Sequence, residues 1–417
     1  MRRFSGGSVV LLVLMMVVSG FSLVSAAKTV TLRMPIYAQQ DIDYFSKSDL
    51  VKKYQKLKPG VTIELEIMKD NAEFENAMKI RKAAGELPEI MPLKQFMLTN
   101  FSDSLLPLDD LIAAKNNLFP NIFNGKTVAL PQIAFGEFVY YRKSIFKEYG
   151  LAVPKTWNEF ISAAKKIKED RKYIPIVLGA KDQWPVYPLN EFMPSLVAGD
   201  GAYWDTMAKQ DEPFSKDKAF YKAYAKIKKL YDAKVFGQDP LGIGFDQAKA
   251  LFAAGKGGML LAGQWFIPQY AESGGDMKDL GLFLLPIRDK ASEVLYTVAM
   301  TDMFLAIPVD CKYKKEAKEF IEWFFSKDYY PQYITETQQN STIKGINSSA
   351  PILKEAYTGV NYKFVLNQPG GADFQKISDA IKFNVKALGQ EMIMGQDLDQ
   401  MMNELNKHWK DAKSKLK

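Results

Sequence analysis

Apolar and polar positions recur with two different periods along this chain, and the switches between them predict a mixed α/β protein. Residues 29–34 (TVTLRM) alternate branched and other side chains, as a strand does. Residues 49–57 (DLVKKYQKL) put apolar groups at helical spacing, and Pro59-Gly60 stops them. A strand over 61–68 (VTIELEIM), a helix over 73–84 ended by Gly85 and Pro88, and a short strand over 87–91 follow. Strand, helix, strand, helix, strand is the pattern of a parallel sheet with helices on its faces.

The alternation resumes after Gly125. Residues 127–130 and 137–142 read as strands, and 143–149 as a short helix closed by Gly150. Thr156 stands where an N-cap belongs, with Glu159 three residues on and an apolar-periodic helix over 160–167. Further on come a strand over 174–178, helices over 220–231 and 247–254, and a strand over 258–261. Residues 314–326 and 374–409 read as helical. No repeat of fixed period and no low-complexity linker divides the chain. The two lobes that its length predicts are therefore expected to be interlaced, with the chain crossing between them more than once.

The N-terminus changes the picture. Arg2 and Arg3 precede an apolar run over 9–18, and small residues lead to Val24-Ser25-Ala26 with Ala27 behind. That is a secretory signal peptide over 1–26, cleaved after Ala26 or Ala27. The run is too short for the roughly 20 residues of a membrane span. No cysteine stands near the cleavage point to carry a lipid anchor, so a soluble periplasmic protein is expected. Cys311 is the sole cysteine, which excludes an intramolecular disulfide. Without Arg2 and Arg3 the chain carries 53 basic and 48 acidic residues, evenly spread. Such a surface is solvated and offers no basic groove for nucleic acid.

Enzyme motifs are scarce. His408 is the only histidine, which rules out two-histidine zinc motifs and disfavours a Ser-His-Asp apparatus. The run Gly255-Lys256-Gly257-Gly258 lacks the upstream glycine and the hydroxyl residue of a phosphate loop. No cofactor or metal is expected. A glycosidase needs only two carboxylates, so composition alone leaves that possibility open.

Seven segments point to binding instead. They are GKTVALP (125–131), YYRKSIFKEYGL (140–151), PKTWNEF (154–160), FAAGKGGMLLAGQW (252–265), LPIRD (285–289), FLAIP (304–308) and KEAKEFIEWFFSKDYYPQYITET (315–337). In order and wording they resemble the family 1 extracellular solute-binding proteins, whose best known members bind maltodextrins. The resemblance covers nearly the whole mature chain. It implies a two-lobed periplasmic-binding-protein fold of type II, with a hinge and a ligand cleft between interlaced lobes. By the family's pattern the first lobe takes 28–127 and 298–346, and the second 128–297 and 347–417. The chain departs from the family at Arg142, where asparagine is usual, and at Lys94-Gln95, where acidic residues are common.

A sugar shows an apolar face and a rim of hydroxyls, so its cleft needs flat rings plus planar polar groups. Trp265 ends the Gly-x-Trp motif that the family uses to stack a sugar ring, and Glu137 falls at a family position that accepts hydroxyl hydrogen bonds. Trp184 and Tyr187 lie in a Pro-rich loop (KDQWPVYPLNE, 181–191), and Trp204 in GDGAYWD (199–205). Loops after the first-lobe strands nominate Tyr37, Gln40 and Asp41, then Lys94 and Gln95. Asp302 before FLAIP, Asn340 in its Gln-Gln-Asn cluster, and Asp373 and Phe374 after Gly370-Gly371 complete the set. Trp157 is expected in the core. The reading is an exported, monomeric carbohydrate-binding component of an ABC importer, docking on membrane permease subunits. The alternatives are a polyamine, peptide or acidic-sugar binder, and a secreted polysaccharide-degrading enzyme.

Overall fold

The computed structural model describes residues 29–346 and 351–415, so the signal peptide expected over 1–26 lies outside the described residues. Strands β1 (Val30–Ile36) and β2 (Val61–Ile67) pair in parallel, with Val30 opposite Val61 and helix Leu50–Leu57 between them in the chain. The remaining strands form one mixed sheet. They are β3 (Met91–Leu93), β4 (Asn121–Phe123), β5 (Lys126–Arg142), β6 (Ile174–Val177), β7 (Gly257–Gly263), β8 (Leu280–Leu284), β9 (Leu295–Ala306) and β10 (Tyr362–Leu366). The main path runs β10-β9-β5-β7-β6, with β3 on β9 and both β4 and β8 on β5.

The parallel pairing read from the alternation holds for β1–β2, β6–β7 and β9–β10, whereas β5 runs antiparallel to β7, β8 and β9. Residues 127–130 and 137–142, read as two strands, belong to one strand of 17 residues. Pro131 lies in the stretch of β5 that has a strand partner on one side only, where a missing N–H is tolerated. Asn124 and Gly125, at φ 49° and 73°, turn β4 into β5 as a tight hairpin requires. The expected long C-terminal helix is three: Ala372–Ile381, Val385–Ile393 and Leu398–Lys415. Lys382 at φ 54° and Gly395 at φ 94° break it. Thr156 caps its helix as read, its Oγ1 accepting from the Glu159 N–H, while Glu159 accepts from the Lys155 N–H at 2.6 Å.

Two hydrophobic cores result. One gathers Leu32, Phe74 and Leu93 with Val128–Leu130, Phe304 and Tyr333; the other gathers Tyr140, Trp157, Tyr224, Leu260 and Trp409. β5 and β9 pass between them. Ile133 and Phe135 still pack in the first core and Phe138 in the second, while Val298 packs in the second and Met303 in the first. Trp265 and Met300 touch both cores, which marks the seam between the two bodies. Among the described residues, no helix is long and apolar enough to cross a membrane.

Candidate functional site

The seam has two unlike walls. On the second-lobe side, Glu137 of β5 sits opposite Gly263 of β7. A Cβ at Gly263 would lie 2.2 Å from the Trp265 indole nitrogen and 2.9 Å from Glu137 Oε1. Only glycine lets the indole fold back over the strand end beside the carboxyl group, which is the physical content of Gly-x-Trp. Trp265 then opens helix Phe266–Glu272 and remains half-buried.

Three more rings complete this wall. Trp184 lies 5.8 Å from Trp265, 6.0 Å from Tyr187 and 4.5 Å from Phe245, ring centre to ring centre. Trp184 and Tyr187 are half-buried like Trp265, so each keeps some surface open to solvent. Their loop is pinned where Asp182 accepts from the Phe245 N–H at 2.7 Å, at the head of helix Phe245–Ala253. The Tyr187 hydroxyl donates to Glu137 Oε1 at 2.5 Å, and the other carboxyl oxygen, Oε2, is buried without a partner. Burial holds the Glu137 carboxyl well above the usual range; the Tyr187 bond opposes this and the Glu191 charge adds to it.

The first-lobe wall is polar and charged. Lys94 Nζ lies 2.8 Å from Asp302 Oδ2 and 5.0 Å from the centre of the Tyr37 ring. Tyr37 is held in place by stacking on Phe74 at 4.0 Å and by donating to the Pro92 carbonyl. Asp41 is buried and accepts from the Tyr333 hydroxyl at 2.9 Å. Its carboxyl is pushed up to about 7, first by burial and then by the Asp302 charge, against the Tyr333 bond and Lys94. Asp302, expected just ahead of a strand, lies inside β9 opposite Ile133, because β9 starts nine residues earlier than FLAIP.

Direct bonds join the walls. Gln95 Nε2 donates to the Asn367 carbonyl of the second lobe at 3.0 Å. Asn340 Nδ2 donates to Gln264 Oε1 at 3.1 Å, and the Gln264 amide donates to the Gln338 carbonyl. Eight non-glycine residues take positive φ among the described residues, and three of them flank this site: Gln183 before Trp184, Met303 after Asp302, and Gln338. Backbone strain of that kind persists where the surroundings over-determine it.

The structure thus gathers Trp265, Glu137, Trp184 and Tyr187 on one wall and Tyr37, Asp41, Lys94 and Asp302 on the other, with Gln95 and Asn340 between. Gln40 belongs to helix Gln39–Lys47, and its side chain lies outside the described set. Trp204 and Phe374 are elsewhere. Both are buried, 5.3 Å apart, in a ring cluster with Phe383 and Trp409 that forms second-lobe core. Asp373 is exposed on the first turn of its helix beside them. Arg142 is tied to Asp279 and to the Phe252 and Ala253 carbonyls inside the second lobe. Sequence reasoning missed Phe245, whose helix was read as starting at Gln247, and the buried Gln264, which sits unremarked between Gly263 and Trp265.

Two α/β bodies joined by continuous strands define a two-lobed protein of type II fold. The chain belongs to the bacterial extracellular solute-binding protein family, whose model matches residues 39–331. It is 23% identical over 347 residues to the multiple sugar-binding protein of Streptococcus mutans, covering 77% of this chain and 80% of that one. Among solved structures, it superposes on the solute-binding protein RafE in complex with raffinose with a TM-score of 0.76 at 20% identity, covering 92% of this chain and all of the other. A mannobiose complex of a Bifidobacterium animalis subsp. lactis ABC-transporter binding protein matches with a TM-score of 0.76 at 18% identity, covering 93% and 95%.

Proposed function

We propose that this protein binds an oligosaccharide between its lobes and hands it to the permease subunits of an ABC importer, acting as an exported, periplasmic monomer without turnover. The observation that carries the reading is the half-buried Trp184, Tyr187 and Trp265 beside Glu137, whose second carboxyl oxygen is buried and unpartnered. An unpaired buried polar atom costs about 1–3 kcal/mol, and a sugar hydroxyl hydrogen-bonded to it removes that cost. The rings supply flat apolar area for the sugar face. The names of the relatives, sugar-binding proteins among them, support the same ligand class.

The lobe division expected above, 28–127 with 298–346 and 128–297 with 347–417, has its crossings in β5 and β9, and the two cores move them to between Phe135 and Phe138 and between Val298 and Met303, so we take the hinge to lie in those two strands. Both run unbroken across the seam, so bending there opens and closes the cleft. The experiment is a thermal-shift screen of the mature protein against neutral and acidic oligosaccharides, polyamines and peptides. A saccharide at one hundred times its dissociation constant adds about 2.7 kcal/mol to stability and raises the melting temperature. A shift with polyamines or peptides and none with any saccharide contradicts the ligand class. Release of a shortened saccharide on incubation contradicts a binding role.

A further inference from the structure

We propose that the Lys94–Asp302 pair makes this cleft selective for uncharged sugars, by offering one donor and one acceptor to adjacent hydroxyls and by turning carboxylated sugars away. The proposal rests on the oligosaccharide reading above and names the class of sugar within it.

The pair is sheltered but reachable: the two side chains are 17% and 14% exposed, and their charged atoms lie 2.8 Å apart. An ammonium has three donors and a carboxylate about four acceptor sites, so one mutual bond leaves both with capacity. Lys94 is braced from behind by the Tyr37 ring, and Tyr37 is itself stacked and hydrogen-bonded. Met303, next to Asp302, takes φ 55° within an otherwise regular antiparallel register. A β-strand methionine in the left-handed region is costly. Gln95, next to Lys94, bonds the second lobe through the Asn367 carbonyl, so the pair belongs to the seam rather than to one lobe's surface.

The charges then decide the ligand. A vicinal diol presents hydroxyls that both donate and accept: one accepts a hydrogen bond from Nζ while its neighbour donates one to a carboxylate oxygen. No net charge is buried. A carboxylated sugar meets an ammonium whose field Asp302 already cancels at 2.8 Å. Its desolvation is then not offset by a free cation. An ammonium ligand at this end meets Lys94 itself. Along β5, the position opposite Asp302 is four residues from Glu137, roughly 13 Å at strand rise, which gives the two ends separate parts of an extended ligand.

The test is calorimetric titration of the wild type, Asp302→Asn and Lys94→Gln with mannotriose, raffinose, trigalacturonate and spermidine, with melting curves establishing that each variant is folded. The wild type is expected to bind a neutral trisaccharide and to bind trigalacturonate at least about a hundredfold more weakly. Asp302→Asn frees the ammonium: neutral-sugar affinity falls about tenfold and trigalacturonate gains about tenfold. Lys94→Gln lowers neutral-sugar affinity without the gain. Trigalacturonate binding the wild type more tightly than the neutral sugars, or unchanged neutral-sugar affinity in both variants, overturns the proposal while leaving saccharide binding in place. Binding of spermidine alone, with no saccharide of either kind, overturns the underlying reading instead.

Discussion

The two walls of the seam are built on opposite physics. The second-lobe wall is a ring cluster, Trp184, Tyr187, Phe245 and Trp265, around one buried carboxyl group; the first-lobe wall is an ion pair and a buried aspartate braced by Tyr37 and Tyr333. Ring faces are broad and tolerant, and they supply area without reading individual hydroxyls. Fixed donors and acceptors are narrow, because a mismatched group leaves a sheltered polar atom unpaired. The proposed site therefore assigns retention and discrimination to different lobes, and closure would bring both to bear on one ligand.

Sharpening that contrast begins with a ring that belongs to neither wall. Trp204→Ala removes a buried indole from the second-lobe core and is expected to cost about 3–5 kcal/mol of stability. Its saccharide affinity, measured below the lowered melting temperature, should match the wild type. Weakened binding would make Trp204 part of the aromatic wall.

The buried aspartate of the polar wall gives the next effect. Its folded-state value, about 7, lies above the ordinary 3.8, so its contribution to stability is fully present below 3.8 and is lost as pH rises through 7. Asp41→Asn keeps an acceptor for the Tyr333 hydroxyl and removes the titration. Chemical denaturation between pH 4 and pH 8 should show the wild type losing on the order of 2–4 kcal/mol relative to this variant. Parallel curves would show that Asp41 is not titrating in this range.

The smallest change is Glu137→Gln, which leaves the aromatic wall intact and replaces its carboxyl group with an amide. Saccharide affinity is expected to fall by about 1–3 kcal/mol in a direct titration. An unchanged value would detach Glu137 from the ligand.

Much of this fold was legible because short-range rules write it. Thr156 with Glu159 and the alternation of 61–67 each carry their structure locally. The antiparallel course of β9 and the unbroken passage of β5 through Pro131 depend on partners far away in the chain, which alternation does not report. The site divides likewise. Trp265 and Glu137 were reachable through the Gly-x-Trp resemblance, and the Gly263 contacts supply the reason. Trp204 and Phe374 had the same composition and the same turn-rich surroundings, yet they face inward. Ring content tells how much aromatic surface exists and nothing about which way it points. Gln264 carries no local signal at all, since its bonds run to Gln338 and Asn340, more than 70 residues away in the chain.

The most direct test is a paired titration of the best saccharide from the screen against Trp265→Ala and Lys94→Met, one variant in each wall. If the ligand lies between the walls, each substitution alone weakens binding by about tenfold or more while the protein remains folded. If either variant binds as the wild type does, the ligand rests on one lobe only, and the two-wall account is wrong.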